Sequence, residues 1–528
     1  MPGASIFSSF QSGPISFYRF PLPSEPAAYA IYLLIRNSTL QSQPPLALRA
    51  RINLTIAGPH IRQLHICSPR AHCREMHLWS WNEATHRELV AVGLYWLNQP
   101  AQSLEVLFRN IQDHSGVELP FVPEFAHDPS RAQMLLGGNC EDILPLTAEL
   151  IPTLNCPCRC LQCSYRMQKL SCGAWLLNDA DNPQWHMRAE DAAPLVRKLR
   201  DAGVRYLVVT GGGEPLMNSE ATLAALLEGH EVGIETGLYT NGALLTKRLA
   251  RAILKETPRF VRVSVNAGSE AVHSKYHRPV TSGPLFGQVQ DGVKQLALYK
   301  AETGRKTEIG LSYIVNPVNY RDCAKFAEWV AGIVKEVDRT TGRKRSAIDF
   351  VRFTPTIDYF AETQHSQDFF DEAVALIQKD AVPLLEGAGL SVTLFNHRFN
   401  HIEERKAYDK CAGCFWFAEV APDGSMYLCS ELNFFPAYRI GSLLRNSVAD
   451  IWASKDRREI LSGVNGTRLR GCPPFCKADA INKVAAEIRK RCKITGERER
   501  IWQWLQDLHA LHCWEPDTPF AKPKTVAF

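Results

Sequence analysis

The chain has 528 residues, which is more than one hydrophobic core usually serves, so roughly two to four domains are expected. Its 60 basic and 55 acidic residues give a net charge of +5, which does not favour a nucleic-acid partner. No apolar run approaches the roughly 18 residues that span a bilayer, and the N-terminus lacks a signal-peptide pattern. We therefore expect a cytoplasmic protein with no membrane partner.

The first part of the chain predicts a β-rich domain, which we place at residues 1–145 and expect to recognise substrate. Short β-like runs alternate there with segments rich in Pro, Gly, Ser and Asn, a pattern typical of antiparallel sheets. The runs are Ala28–Arg36, Ala47–Ile56, Ile61–Cys67, Val90–Leu97 and Ser103–Asn110.

From residue 146 to about 360, short apolar strands alternate with helical patterns. This rhythm predicts a parallel sheet with right-handed crossovers, either open or closed into a barrel, with its active site at the carboxyl ends of the strands. The predicted strands are Thr147–Thr153, Tyr206–Thr210, Gly233–Tyr239, Phe260–Val265, Glu308–Val315 and Ile348–Phe353. The predicted helices are a segment around residues 192–199, Ala221–Leu227, Lys247–Lys255, Phe286–Tyr299 and Arg321–Val334.

Three segments complete the expected organisation. Residues 361–410 form a connecting segment, residues 411–492 form a small cysteine-rich domain, and residues 493–528 form a C-terminal helix and tail.

Sixteen cysteines are many for a reducing compartment, where clustered thiols more often bind metal than form disulfides. Cys156, Cys160 and Cys163 follow the first predicted strand with a Cys-x3-Cys-x2-Cys spacing. Random placement would give this spacing roughly 0.015 times in such a chain. Thiolates on a compact loop suit an iron–sulfur cluster, and three ligands leave one iron open for substrate. A zinc site completed by Cys158 is the alternative.

A second motif follows the next predicted strand, where Gly211-Gly-Gly-Glu-Pro215 ends a buried apolar run. Glycines permit close backbone approach, and the Glu214 carboxylate can accept hydrogen bonds from an ammonium group. A tight turn without ligand is the alternative interpretation.

Together these two motifs resemble the signature of the radical S-adenosylmethionine (radical SAM) superfamily. The resemblance implies a partial (β/α)6 TIM-like barrel. It implies that Cys156, Cys160 and Cys163 hold a [4Fe–4S] cluster whose open iron binds S-adenosylmethionine. It also assigns Gly212, Gly213 and Glu214 to the methionine amino group of that cofactor. Gln162 stands where the family usually has an aromatic residue, and Tyr165 is the nearby substitute for its adenine contact.

Weaker matches extend the resemblance along the chain. Ser264 and Asn266 correspond to polar residues that approach the ribose in relatives, although Asn266 replaces the usual Asp. Arg278 lies near the place of an Asp-x-x-Arg pattern in relatives, and a surface arginine is the alternative.

The C-terminal cysteines resemble the SPASM/twitch extension of this superfamily, which implies one auxiliary [4Fe–4S] cluster. The implied ligands are Cys411, Cys414, Cys429 and Cys476, with Cys472 as the competitor for the fourth position. A zinc site on the same thiolates is the alternative. Glu431, close after Cys429, is the candidate acid/base residue, with a surface glutamate as the alternative.

The resemblance implies reductive cleavage of S-adenosylmethionine to a 5′-deoxyadenosyl radical that abstracts hydrogen from the substrate, with flavodoxin or ferredoxin as electron donor. Most relatives with the extension modify ribosomal peptides or proteins, so we expect peptide crosslinking or oxidation. The alternatives are radical oxidation or rearrangement of a small molecule such as an amino sugar, RNA modification, and a non-enzymatic zinc scaffold.

Overall fold

The computed structural model divides the chain into two compact units, Met1–Cys140 with Lys483–Phe528, and Glu141–Asn482. It describes residues 15–22, 25–35, 46–55, 58–67, 128–138, 140–163, 165, 183–256, 258–280, 283–342, 347–356, 366–394, 399, 406–465, 469, 472, 476–499, 501, 502 and 505.

The first unit contains a four-stranded antiparallel sheet in the order β1-β2-β3-β4. Three of the predicted β-runs are confirmed as β2, β3 and β4. The first strand was not predicted, because Pro21 interrupts its apolar pattern. The predictions for residues 90–97 and 103–110 lie outside the described residues. The strands are Ile15–Leu22 (β1), Glu25–Ile35 (β2), Leu46–Thr55 (β3) and Gly58–Cys67 (β4).

The second unit is built on a ten-stranded sheet in the order β11-β10-β9-β8-β7-β6-β5-β12-β13-β14. Every neighbouring pair from β11 to β12 is parallel, and the last two pairs are antiparallel. The strands are Thr147–Leu150 (β5), Tyr206–Val209 (β6), Glu235–Thr240 (β7), Phe260–Ser264 (β8), Glu308–Val315 (β9), Phe350–Pro355 (β10), Ser391–Leu394 (β11), Phe417–Val420 (β12), Ser425–Tyr427 (β13) and Arg439–Ser442 (β14).

Helices connect the parallel strands, and each crossover from β5 to β11 joins sheet neighbours. Right-handed crossovers that all advance in one direction place the helices on one face of the sheet. Among the described residues, the α-helices are Pro129–Gly137 (α1), Ala189–Asp201 (α2), Ser219–Glu231 (α3), Lys247–Lys255 (α4), Glu270–His277 (α5), Phe286–Thr303 (α6), Cys323–Thr341 (α7), Gln367–Leu376 (α8), Val382–Gly387 (α9), Val448–Trp452 (α10), Lys455–Val464 (α11) and Asp479–Arg491 (α12).

The two faces of this sheet differ in chemistry. Residues paired across parallel strands share a face, so the register defines both sets. The helix-covered face is apolar, with residues such as Leu207 and Val261 fully buried. The opposite face, here called the inner face, carries charged and polar side chains on five of its strands. They are Glu149, Tyr239, Arg262, Arg352 and Glu419.

The predicted strand–helix alternation is confirmed, including all six predicted strands and the five predicted helices, with bounds that shift by a few residues. The sheet is open among the described strands, because β11 and β14 each have one strand neighbour. The sequence did not predict that β12, from the cysteine-rich segment, would join the sheet beside β5. In the described part of the chain, no helix has the length and apolar character needed to cross a membrane.

Candidate functional site

The first cysteine loop, Cys156–Cys163, follows β5 at the carboxyl end of the parallel sheet. Backbone hydrogen bonds hold it against the end of α5. The Arg159 N–H donates to the His277 carbonyl at 2.9 Å, and the Leu161 N–H donates to the Tyr276 carbonyl at 2.9 Å. The three predicted cluster ligands therefore lie on a loop whose path is fixed by the fold, and their thiols are partly buried.

The Gly-Gly-Glu segment after β6 packs directly against the beginning of this loop. The Gly213 N–H donates to the Thr153 carbonyl at 3.0 Å, and the Glu214 N–H donates to the Asn155 carbonyl at 2.7 Å. A Cβ atom on Gly213 would lie 2.2 Å from the Asn155 oxygen, so only glycine permits this approach. The two predicted motifs are thus joined by their backbones.

Three hydrogen bonds fix the Glu214 carboxylate, which is almost fully buried. One oxygen accepts from the Thr240 hydroxyl at 2.6 Å and from the Leu216 N–H at 3.1 Å, and the other accepts from the Asn241 N–H at 2.7 Å. Burial raises the pKa of Glu214 to about 7, although these three hydrogen bonds act in the opposite direction. The carboxyl group is therefore positioned by the ends of β6 and β7.

Two side chains outside the predicted set approach the thiols of the loop. The Asn241 amide donates to the Cys156 sulfur at 3.7 Å, and the Cys160 sulfur lies 3.2 Å from Nδ1 of His277. The other ring nitrogen of His277 lies 2.9 Å from the Val265 carbonyl, and burial lowers the pKa of this imidazole to about 4. Hydrogen bonds to cluster sulfurs are typical of iron–sulfur sites.

Cys158, unassigned from the sequence, is buried within the loop and paired with Pro279 in an isolated β-bridge. The pKa of the Cys156 thiol is raised above its ordinary value. The main cause is a hydrogen bond with the Cys158 thiol, and the second cause is burial. Cys158 therefore lies beside a predicted ligand, and its backbone is paired with that of Pro279 outside the loop.

Ser264 and Asn266, predicted to approach the ribose, lie at the end of β8. The Ser264 hydroxyl accepts a hydrogen bond from Ser312 at 3.3 Å. Asn266 has a left-handed backbone, with φ of 52°, and its side-chain oxygen accepts from the Ile314 N–H at 2.7 Å. The structure thus gives Asn266 a part in joining β8 to β9.

Tyr165 and Arg278 lie in different surroundings. Tyr165 packs edge-on against Phe434, with ring centroids 5.7 Å apart, and belongs with a buried apolar cluster that includes Leu154 and Trp185. Arg278 is exposed and ends α5 with a left-handed backbone, and its carbonyl accepts from the Arg159 N–H at 3.0 Å. Gln162 accepts a hydrogen bond from the Thr356 hydroxyl.

The C-terminal cysteines line one cavity of about 540 Å³, here called the auxiliary cavity. All five predicted ligands and Glu431 contribute to its wall. Cys492 belongs to the other compact unit. The cysteines of the cavity are Cys411, Cys414, Cys429, Cys472 and Cys476.

Hydrogen-bond donors surround this group of thiols. The Asn482 amide donates to the Cys411 sulfur at 3.4 Å, and the Lys406 ammonium donates to the Cys476 sulfur at 3.4 Å. A hydrogen bond from Cys414 is the main cause that lowers the pKa of Cys411 to about 6. Burial raises the pKa of Cys476 to about 12. Where the structure describes the chain, no group of three or more His, Cys, Asp or Glu is arranged to hold a single metal ion.

The two groups of cysteines lie at opposite ends of the same strand pair. Leu150, just before the first cysteine loop, pairs with Val420, whereas Cys414 precedes β12 by three residues. Cys429 follows β13, which is antiparallel to β12, and so lies at the same end as Cys414. At about 3.3 Å per residue, a four-residue strand spans about 13 Å.

Comparison with known families agrees with this arrangement. Residues 150–330 match the radical SAM superfamily, a segment that includes the first cysteine loop and the Gly-Gly-Glu segment. The chain therefore contains a radical SAM domain. Residues 411–478 match the SPASM iron–sulfur cluster-binding domain, which includes all five cysteines of the auxiliary cavity. No curated protein matches the sequence.

Several solved structures are similar to this chain. SuiB from Streptococcus suis, bound to its precursor peptide SuiA, has 14% identity and a TM-score of 0.46, covering 79% of this chain and 93% of its own. BtrN in complex with AdoMet and 2-DOIA has 13% identity and a TM-score of 0.34, covering 64% and 96%. Scores of this size do not identify a substrate.

The cofactors of the chain are a SAM-binding [4Fe–4S] cluster, S-adenosylmethionine and an auxiliary cluster. The donor set fits them, because thiols are grouped at both sites and N–H groups point at Cys156, Cys411 and Cys476. Sequence reasoning missed all four side chains that approach these thiols, which are Asn241, His277, Lys406 and Asn482. Asn241 and His277 occur in motifs at strand and helix ends, but nothing in the sequence shows that they reach sulfur.

Glu214 provides a pH-dependent test of this geometry in the cofactor-free protein. Its pKa is raised from 4.5 to about 7, so the folded state binds the proton more tightly than the unfolded state. Protonation of Glu214 therefore adds to the free energy of unfolding. This contribution is complete below pH 4.5 and is lost as pH rises through 7, which lowers the free energy of unfolding by about 3 kcal/mol. Urea unfolding measured between these pH values should show the free energy of unfolding of the parent falling as pH rises. The same quantity should change less with pH in Glu214→Gln. Glu235→Gln, an exposed carboxylate on β7, is the control; equal profiles for Glu214→Gln and the parent would contradict the prediction.

Serine substitutions can show whether Cys472 or Cys476 is the fourth ligand of the auxiliary cluster. Lys406 donates to the Cys476 sulfur, as expected for a ligand thiolate, so we expect Cys476→Ser to lose the auxiliary cluster. Iron should fall from about eight to about four per chain, whereas Cys472→Ser should keep about eight. Iron and sulfide analysis after anaerobic reconstitution measures this. The reverse pattern would assign Cys472 instead.

Proposed function

We propose that this chain oxidises or crosslinks a ribosomally made peptide, with the substrate bound at the inner face of the sheet between the two cysteine groups. S-adenosylmethionine, when bound with the first cluster, supplies the 5′-deoxyadenosyl radical that abstracts hydrogen. The auxiliary cluster is proposed to accept an electron from the substrate. Flavodoxin or ferredoxin is the proposed electron donor to the first cluster.

Buried polar groups without hydrogen bonds are the observation that carries this proposal. Within the described residues, both carboxylate oxygens of Glu419, both amide atoms of Asn433 and the Tyr239 hydroxyl have no partner at hydrogen-bond geometry, although Glu419 and Asn433 lie close enough to interact with each other. Glu419 and Asn433 are each 1% exposed. Leaving such groups unsatisfied is costly, so a ligand that supplies donors and acceptors is expected to meet them.

Charged side chains extend this set along the inner face. Lys477 forms an ion pair with Glu149, and its ammonium lies 3.8 Å from Glu419. The Arg262 guanidinium lies 3.5 Å from the centre of the Tyr239 ring. Burial and the neighbouring charge of Glu149 raise the pKa of Glu419 well above its usual range. The face therefore offers cations, carboxyl groups and a phenol in a site screened from water.

This chemistry suits a polar substrate with many amide groups. A peptide backbone presents alternating N–H and C=O groups, which complement a carboxyl group, a primary amide and a hydroxyl. The same groups also complement the hydroxyls and ammonium of an amino sugar. The peptide is favoured here because the SPASM-type extension is mostly found in peptide-modifying relatives.

The N-terminal sheet provides a second reason to propose a peptide. Its strands β1 and β4 each have one strand neighbour among the described strands. An open strand edge can pair with an extended peptide through backbone hydrogen bonds. We propose that residues 1–145 recognise part of the substrate in this way.

Individual residues would have separate tasks in the reaction. Cys156, Cys160 and Cys163 would hold the first cluster, and Gly212, Gly213 and Glu214 would orient the methionine end of the cofactor. Ser264, Asn266, Tyr165 and Arg278 remain proposed cofactor contacts, and the acid/base role of Glu431 stays a prediction. The division at residues 146–360, 361–410, 411–492 and 493–528 and the cytoplasmic location also remain proposals.

Mass spectrometry of co-expressed peptides tests the substrate class. Short peptides encoded beside the gene should lose pairs of hydrogen atoms when expressed with this chain, because crosslinking and oxidation both remove hydrogen. Unchanged masses for every neighbouring peptide would contradict the peptide proposal. Conversion of an amino sugar by the same preparation would favour the small-molecule alternative.

Glu419→Gln tests whether the substrate binds at the inner face. The variant removes a carboxyl group from the inner face but leaves the first cysteine loop intact. We expect peptide modification to fall at least tenfold, while 5′-deoxyadenosine formation without peptide stays at the parent level. Equal peptide modification by the variant and the parent would place the substrate elsewhere.

A further inference from the structure

A fully buried arginine packs against Phe415, the residue that follows Cys414 of the auxiliary cavity. Arg457 is on α11, and its side chain is enclosed by two aromatic rings. The guanidinium carbon lies 4.5 Å from the ring centroid of Phe415 and 4.5 Å from that of Trp452. Arg457 is 0% exposed, so water does not stabilise its charge.

None of the three guanidinium nitrogens of Arg457 has a hydrogen-bond partner in the described part of the chain. Arginine keeps its proton in proteins, so the group stays cationic in this position. Contacts with aromatic faces offset part of the cost of burying the charge. A buried cation still requires an anionic partner to be stable.

The groups that act on Arg457 electrostatically include Cys414, Glu141 and Cys411. Glu141 is exposed, so water screens its charge. Cys414 and Cys411 line the auxiliary cavity, and they carry negative charge only when they are thiolates. The anion that Arg457 lacks would therefore be present when these two cysteines bind metal.

Lys406, whose ammonium donates to the Cys476 sulfur of the same cavity, differs from Arg457 because it has a carboxylate partner. Its side chain is 3% exposed, and its ammonium lies 2.8 Å from the Asp479 carboxylate. The charge of Lys406 is thus balanced by the protein itself, whereas that of Arg457 is not. An uncompensated cation acts more strongly on a nearby metal group than a paired one.

We propose that Arg457 is the counter-cation of the auxiliary iron–sulfur cluster and sets its reduction potential. One-electron reduction adds one negative charge to the cluster and its thiolates. A fixed cation nearby favours this reduced state, so Arg457 keeps the midpoint potential higher than an apolar residue would. The proposal depends on the assignment of Cys411 and Cys414 as auxiliary ligands.

Potentiometric titration followed by electron paramagnetic resonance tests the proposal on the full-length, anaerobically reconstituted protein. Arg457→Met should shift the midpoint potential of the auxiliary cluster to a more negative value, whereas Arg457→Lys should stay near the parent. Arg458→Met is the matched control, because it removes the same charge from the neighbouring, exposed position on α11. We expect the control to have the parent potential.

Thermal unfolding gives a second measurement that does not depend on the potential. Replacing a buried, unpaired charge with an apolar side chain usually stabilises a protein, so cluster-free Arg457→Met should melt at or above the parent temperature. The reconstituted variant should melt below the reconstituted parent, because its cluster has lost a counter-ion.

Two results would overturn the proposal. One is an auxiliary potential in Arg457→Met equal to that of the parent. The other is a lower melting temperature for cluster-free Arg457→Met, which would make Arg457 a packing residue. A parent protein that binds only one cluster would instead refute the auxiliary site itself, so the two failures are distinguishable.

Discussion

The parallel pairing of β5 with β12 is the interaction on which the arrangement of the second unit depends. Four consecutive residue pairs, from Thr147 with Phe417 to Leu150 with Val420, join a strand of the radical SAM segment to a strand of the cysteine-rich segment. The pairing places one cysteine group at each end of the same two strands. It also places Glu149 opposite Glu419, on the face between those groups. Without this register, the two cofactor sites would have no fixed relation.

Charge placement separates the two sites in a second way. The first cysteine loop is held mainly by backbone hydrogen bonds. The side chains nearest its sulfurs, Asn241 and His277, are uncharged, whereas the Arg159 guanidinium donates to the Cys156 and Cys158 carbonyls. The auxiliary cavity instead has two buried cations close to its cysteines, Lys406 and Arg457. Different surroundings of this kind give iron–sulfur clusters different reduction potentials. The two sites therefore differ in the charged groups that lie next to their cysteines.

The sequence predicted the elements of this structure better than their contacts. The cysteine spacing, the Gly-Gly-Glu motif and the strand–helix alternation were visible because each depends on residues close together in the chain. Gly213 was predicted to permit close approach, and the structure shows the Asn155 carbonyl that requires it. The position of β12, the burial of Glu419 and the enclosure of Arg457 depend on contacts between distant segments, which no local pattern reveals. Tyr165 shows the same limit, since its partner Phe434 is far away in the sequence.

The central claim is that three thiols on one loop hold the cluster that activates S-adenosylmethionine. Replacement of Cys156, Cys160 and Cys163 together with alanine tests it most directly, with Cys323→Ala, a buried cysteine on α7, as the control. The measurement is 5′-deoxyadenosine formed from S-adenosylmethionine under dithionite. The account predicts that the triple variant forms none while the control forms it at the parent rate. Formation at the parent rate by the triple variant would contradict the account.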